Sequence, residues 1–415
     1  MSATNAAPAL PQPRFYPALD LAPYPGALPA RLALADGLVF EGWSCGATGE
    51  VGGELCFNTA MTGYQEILTD PSYQGQIVTL TMPQIGNYGI TADDSESRAC
   101  FCSGLVVRQM CREPSNFAAT STVPDWLREH GVVAIEGIDT RLLVEHIREQ
   151  GATMAVISTD GAPKAAELVA QAQKLPPLKG QNLTSKVARN IPYQISSNLQ
   201  MGTGLTRRVA ARQTCPLATG ENSLEPQECR KIEEGDREFH SRATKPQSTP
   251  SHAARMSERS TLSDFSSTSQ DNHLSTISDF SSTSQDNHHL PYRVVALDAG
   301  IKFNIIRSLT ALGCELRVLP PTTPAADILG LDPDGLFLSN GPGDPAAVDY
   351  LYRTVAELIG ALPIFGICLG HQMLSLAVGA HTYKLKYGHH GGNHPVKKPA
   401  DRRRRDHGAK PRLLR

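Results

Sequence analysis

The stretch PIFGICLGHQMLSLAVGA, residues 363–380, reads as an apolar strand that ends in Gly-x-Cys-x-Gly and passes straight into a helix. Gly366 and Gly370 permit the tight turn that presents the Cys368 side chain, a nucleophile elbow with Cys in place of Ser. At a helix N-terminus, backbone N–H groups and the macrodipole favour a thiolate, and adjacent amides can hold an oxyanion. Two readings compete: a reactive acyl-transfer thiol and a buried structural cysteine at a strand end. For an isolated cysteine the second would win, but the paired glycines and the strand-to-helix context favour the first.

Upstream of the elbow, strands and helices alternate. RVVALDAG (293–300) is a strand and IKFNIIRSLTALG (301–313) a helix stopped by Gly313; CELRVLP (314–320) is a strand, DGLFLSNGPGDP (334–345) a strand and loop, and AAVDYLYRTVAELIGAL (346–362) a helix. Such alternation implies a doubly wound parallel sheet. The loop SNGPGDP (339–345) then leaves the same carboxyl edge where α/β ligands bind, although Gly-Pro-Gly is equally ordinary turn chemistry.

Residues 31–195 read as a mixed α and β domain. RLALADGLVFEGWSCGATG (31–49) places Asp36-Gly37 between two strand-like runs, a hairpin signature. STVPDWLREHG (121–131) and GIDTRLLVEHIREQG (137–151) each carry an N-cap residue before a helical pattern and a closing glycine. Residues 1–30, rich in Pro and Ala, are expected to be a disordered leader with structure beginning near Arg31. Residues 196–290 lose all hydrophobic periodicity and read as a disordered linker. It holds SDFSSTSQDNH twice, at 263–273 and 278–288, copies too short and polar for a solenoid and better read as a local duplication.

Composition narrows the function classes. The 415 residues suggest two or three domains, and 40 % hydrophobic content supports a sizeable core. A net charge of -2 argues against nucleic-acid and membrane-surface binding. The nine cysteines, an odd number without a zinc-type CxxC pair, read as mostly reduced thiols. His389, His390 and His394 lack a Cys or carboxylate partner at zinc spacing, so no metal is expected and the run reads as an exposed loop. With neither a signal pattern nor a long apolar run, a cytoplasmic location is the default.

FGICLGHQ (365–372), SNGPGDP, KYGHHGGNHPV (386–396) and CFNTAMTGYQEILTDPSYQGQIVTLTMPQIGN (56–87) together resemble the small, glutaminase subunit of carbamoyl-phosphate synthetase, over 31–195 and 291–396. The elbow alone fits any class I glutamine amidotransferase; the N-terminal segment separates this family from the others. The resemblance implies that Cys368 attacks the glutamine amide to give a γ-glutamyl thioester and ammonia, and that Ser72, Gly341, Gly343, Leu369 and Gln372 hold the glutamine. It further implies a tunnel carrying ammonia to a large subunit, which makes carbamoyl phosphate from bicarbonate and ATP for arginine and pyrimidine synthesis. No cofactor belongs to this subunit in that picture, with ATP and Mg on the large one. The alternatives are another amidotransferase subunit and a non-catalytic partner that docks on the large subunit.

One departure stands out. The family's base and its orienting acid lie in a His-Pro-Glu motif beyond the segment matching Val396, and this sequence contains no such triplet. Residues 397–415, KKPADRRRRDHGAKPRLLR, carry nine Lys or Arg and two Asp, a sum of +7 that leaves -9 for residues 1–396. Back-translated from Arg405 and read one base later, the degenerate codons permit Glu-Ile-Thr-Gly-Gln-Asn-His-Gly-Phe, which resembles the family's next segment. The tail is therefore expected to be a single-base frameshift near Lys397 or Lys398, which resequencing would test: an intact frame would refute it. A chain in this form is expected to be a poor glutaminase, short by ~10²–10⁴-fold in rate, and prone to aggregate through exposed sheet edge.

Overall fold

The computed structural model describes residues 13–160, 164–195, 291–388 and 390, and the backbone of 395–397 and 404–406. The expected linker with its duplicated segment and most of the basic tail lie outside the described residues. The fold is mixed α/β, with two main sheets.

The first sheet comprises β1 (Arg14–Tyr16), β2 (Pro29–Leu34), β3 (Leu38–Ser44), β4 (Glu50–Asn58), β5 (Gln76–Leu80), β7 (Gly104–Val106), β9 (Val133–Glu136) and β10 (Thr153–Ser158); the short pair β6 (Gln84–Ile85) and β8 (Gln109–Met110) stands apart. Its order is β1-β3-β2-β10-β4-β5-β7-β9, and β9 pairs back onto β3, so the sheet closes on itself. Leu32, Leu34, Phe40, Leu55 and Ile77 fill one side of it with side chains excluded from water. At ~25 cal/mol per Å² of apolar surface, each such side chain contributes about 1.5–3 kcal/mol.

Local codes set the helices. α1 is Tyr64–Leu68. α2 (Val123–Glu129) begins at Thr122, whose hydroxyl accepts the Asp125 N–H at 3.2 Å, and Pro124 occupies its first turn. α3 (Thr140–Gln150) begins at Asp139, whose carboxylate accepts the Leu142 N–H at 3.0 Å, and stops at Gly151 with φ 106°. The Asp36-Gly37 turn joins β2 and β3 as an antiparallel pair. α4 (Ala165–Lys174) covers Ala33, Val39 and Val156, and α5 (Thr184–Val187) follows.

The expected disordered leader needs correction. Arg14–Tyr16 forms β1, parallel to Leu38–Phe40, and β2 already begins at Pro29. Between them Leu19 N–H donates to Gly137 at 2.8 Å and Tyr24 N–H to the Glu136 carboxylate at 2.6 Å. Prolines forbid a central strand, but β1 sits at an edge where a missing N–H costs no ladder bond.

The second sheet has the order β11-β13-β12-β14-β15, built from β11 (Tyr193–Ile195), β12 (Arg293–Leu297), β13 (Glu315–Leu319), β14 (Gly335–Leu338) and β15 (Ile364–Gly366). The last four are mutually parallel and β11 is antiparallel. α6 (Phe303–Ala311), α7 (Ala325–Gly330), α8 (Asp349–Leu358) and α9 (Leu369–Ala377) connect and cover them, α7 being the one helix here without a sequence expectation. Val295, Leu297, Leu336, Leu338, Leu351, Val355 and Met373 form the core on one face. Strand order reverses between β12 and β14, so the loops after them flank the crevice where doubly wound sheets bind ligands. β16 (Pro395–Lys397) pairs antiparallel with β17 (Arg404–Asp406), so the boundary expected at residue 396 falls inside a strand. Among the described residues, no helix is long and apolar enough to cross a membrane.

Candidate functional site

Cys368 caps α9 with φ 55° and ψ -111°, one of two non-glycine residues with positive φ among those described. A backbone held in this sparsely populated region costs about 1–3 kcal/mol and persists only when its surroundings enforce it. Both elbow glycines are needed for that enforcement. A Cβ on Gly366 would sit 2.5 Å from the Gly370 carbonyl carbon, and one on Gly370 would sit 2.5 Å from the Leu338 carbonyl carbon of β14. The Gly370 N–H donates to Ser339 and to Ile367, each at 3.0 Å, and Gln372 N–H donates to Cys368 at 3.1 Å. The Leu369 N–H therefore heads the helix beside the sulfur, with no backbone or side-chain acceptor among the described residues. That is the position from which the amide following a nucleophile stabilises an oxyanion.

The SNGPGDP loop packs on the elbow. A Cβ on Gly341 would sit 2.8 Å from Leu369 Cδ2, and one on Gly343, at φ 89°, 2.7 Å from the Gln181 carbonyl oxygen. Both positions thus admit only glycine, because neighbouring protein atoms stand against them. Asp344 accepts the Gly180 N–H at 2.9 Å, tying the loop to the segment before α5.

Ser72 arrives from the other sheet. It lies in the 3-10 turn Pro71–Tyr73, whose cap Asp70 accepts the Ser72 N–H at 2.9 Å. Asn340, wholly buried, donates its Nδ2 to Ser72 Oγ at 3.0 Å and to Asp70 Oδ1 at 3.3 Å, while its Oδ1 accepts the Lys302 N–H at 3.2 Å. Lys302 Nζ pairs with Asp70 Oδ2 at 3.3 Å. Asn340 thereby links Ser72 to the loop that carries Gly341 and Gly343, and Gly341 packs on Leu369, the neighbour of Cys368. Gln372 sits one helical turn beyond the cysteine, half-buried, with no side-chain link to Ser72 among the described contacts.

Asp70, Lys302, Asn340, Asn58 and Tyr73 carry site structure that motif reading passes over, although Asp-Pro ahead of Ser72 is a legible cap signal. Tyr73 is buried, and its hydroxyl accepts the Asn58 amide at 2.8 Å. Burial first, then the neighbouring Cys56 and Asp70, push its phenol well above the ordinary range, so it stays neutral within electrostatic reach of Cys368. His390 packs its ring 5.4 Å from that of Tyr73, and its carbonyl accepts the Thr59 N–H at 3.4 Å; it is half-buried, where an exposed loop was expected. His389 and His394 lie outside the described residues. Burial raises the thiols of Cys45 and Cys56, which are packed in the first sheet's core, and keeps both neutral.

Residues 32–157 match the family model for the carbamoyl-phosphate synthase small chain, CPSase domain, and residues 295–411 that for glutamine amidotransferase class-I. The carbamoyl phosphate synthase small chain of Syntrophotalea carbinolica is 42 % identical over 380 residues, covering 90 % of this chain and 78 % of that protein. The chain belongs to the carbamoyl phosphate synthase small chain family. The small chain of Pseudomonas aeruginosa is 39 % identical over 369 residues, 89 % of this chain and 78 % of that one. The chloroplastic small chain of Oryza sativa is 38 % identical over 367 residues, 88 % of this chain and 65 % of that one. This family is the glutamine amidotransferase subunit of an enzyme, and the match over 32–157 separates the chain from amidotransferases that serve other synthases. The match over the second domain runs past Val396 into the segment expected to be out of frame.

Proposed function

We propose that this chain hydrolyses glutamine at Cys368 and delivers ammonia to a carbamoyl phosphate synthase large chain. The observation that carries the reading is the convergence of a strained cysteine elbow with Ser72, delivered from the other sheet through Asn340. The Cys368 sulfur attacks the side-chain amide carbon of glutamine, and the oxygen gains charge opposite the Leu369 N–H. Ammonia leaves with a proton as the γ-glutamyl thioester forms, and water then releases glutamate. Ser72 and the backbone of Gly341 and Gly343 line the crevice that holds the substrate, with Gln372 on the adjoining helical turn.

The large chain combines ammonia with bicarbonate and ATP, its Mg included, to give carbamoyl phosphate for arginine and pyrimidine synthesis; the small chain holds no cofactor of its own, and the assembly is cytoplasmic. With the large chain present, Cys368→Ala abolishes glutamine-dependent carbamoyl phosphate synthesis and leaves ammonia-dependent synthesis intact. Ammonia-dependent synthesis alone, in parent and variant alike, would replace this reading with that of a non-catalytic docking subunit.

A further inference from the structure

Cys100 and Cys102 lie outside the elbow, yet their sulfurs are 3.4 Å apart. The spacing follows from the backbone. Phe101 N–H donates to Leu68 at 3.3 Å, Cys102 bridges antiparallel to Gln74, and Ser103 N–H donates to Gln76 at 2.8 Å, so the segment runs extended along residues 68–76. Residues two apart on an extended segment project to the same face. Cys102 is buried in the first core, whereas Cys100 packs against that core half-buried.

We propose that Cys100 and Cys102 form a peroxide-reactive dithiol site that closes to an intrachain disulfide. The Cys102 thiol, raised first by its hydrogen bond with Cys100 and then by burial, keeps its proton. Cys100 is the more accessible of the two sulfurs, and the thiolate is the form of a cysteine that reacts. The Cys100 thiolate attacks one oxygen of hydrogen peroxide; the O–O bond breaks, Cys100 becomes a sulfenic acid, and the departing hydroxide takes a proton to leave as water. The Cys102 sulfur then attacks the Cys100 sulfur, the S–O bond breaks, and a second water leaves with the Cys102 proton. Two thiols and one peroxide thus give one disulfide and two waters.

Closure needs the sulfurs to approach by about 1.4 Å, to a bond of ~2.05 Å. Extended residues two apart are ~6.6 Å between Cα atoms, near the upper limit of ~6.8 Å for a disulfide. Forming the bond therefore pinches the segment and draws Cys102 away from Gln74, two positions beyond Ser72.

Trypsin releases Ala99–Arg108, which holds these two cysteines and no other. After mild peroxide treatment of the native full chain, that peptide is expected to be lighter by two hydrogens, closed to iodoacetamide, and reopened by dithiothreitol. Amide exchange across 101–103 is expected to quicken on oxidation. In Cys102→Ser, dimedone should trap a sulfenic acid on Cys100, and Cys100→Ser should leave Cys102 unoxidised. Equal alkylation of both cysteines before and after peroxide, or a disulfide from either one to another peptide, overturns the proposal. Unchanged exchange across 101–103 overturns the pinch.

Discussion

Replacing Asn340 by Asp changes one atom in a wholly buried side chain and reverses what it presents to the other sheet. Nδ2 now donates to Asp70 Oδ1 at 3.3 Å and to Ser72 Oγ at 3.0 Å. In Asn340→Asp a carboxylate oxygen takes its place and faces the buried Asp70 carboxylate. Two like charges at that separation repel by about 5 kcal/mol at an effective dielectric of ~20. The two lost hydrogen bonds add about 1 kcal/mol each, and Lys302 Nζ, 3.3 Å from Asp70 Oδ2, offsets part of the repulsion. A net destabilisation of about 3–5 kcal/mol at neutral pH is expected, read as a fall in urea midpoint at unchanged slope. Asn340→Ala, which loses the bonds without adding charge, should cost about 2–3 kcal/mol. The sign with pH follows from the chemistry: protonating the new carboxyl removes the repulsion and restores an O–H donor, so the deficit of Asn340→Asp shrinks in acid while that of Asn340→Ala does not. If Asn340→Asp is no less stable than Asn340→Ala, or its deficit is flat with pH, the buried bridge between Asn340 and Asp70 is refuted.

Other consequences are equally concrete. Gly370→Ala drives a methyl group into the β14 backbone and should cost about 3 kcal/mol or more, whereas Gly379→Ala, in open space at φ 86°, meets only backbone strain of about 1–2 kcal/mol; paired thermal melts check the ranking, and equal losses would contradict it. Glu66 buries Oε2 without a hydrogen-bond partner among the described residues, and burial raises its carboxyl above the ordinary value. A raised folded-state value means that its stabilising share is present below ~4.3 and is lost as pH rises through the higher folded value. Glu66→Gln should therefore gain on the parent as pH rises through that window, by urea titration at several pH values; a gap that narrows instead would reverse the argument. Iodoacetamide on the native chain should label Cys368 and spare Cys45 and Cys56, by peptide mass mapping, and early labelling of Cys56 would contradict its burial.

The features legible in the sequence are those written in a few adjacent residues. Asp139 and Gly151 mark both ends of α3, and Gly-x-Cys-x-Gly marks the elbow, because caps and tight turns are local chemistry. The leader was misread for the same reason: prolines report on their own backbone, and nothing within 1–30 says that Leu38–Phe40 offers an edge for Arg14–Tyr16. The site divides likewise. Cys368 and the loop glycines stand out by type and spacing, but the grip of Asn340 on Ser72 joins residues 268 positions apart, and no window of sequence contains it. Nor does any pattern show that Gly343 is glycine because Gln181 lies against it.

The closure of the first sheet by β9 on β3 has a counterpart in how the molecule comes apart. Apart from β1 at its margin, the closed ring of strands offers no terminal strand to peel, so its amides are released together. In the second sheet β15 pairs with β14 on one side, among the described residues, and Phe365 on it is 64 % exposed. Among the described residues breathing therefore starts at the end strands, β11 and β15, and β15 is the one that feeds Cys368. Cys368 therefore follows an end strand of its sheet, while Ser72 lies just ahead of β5, within the closed ring of the other.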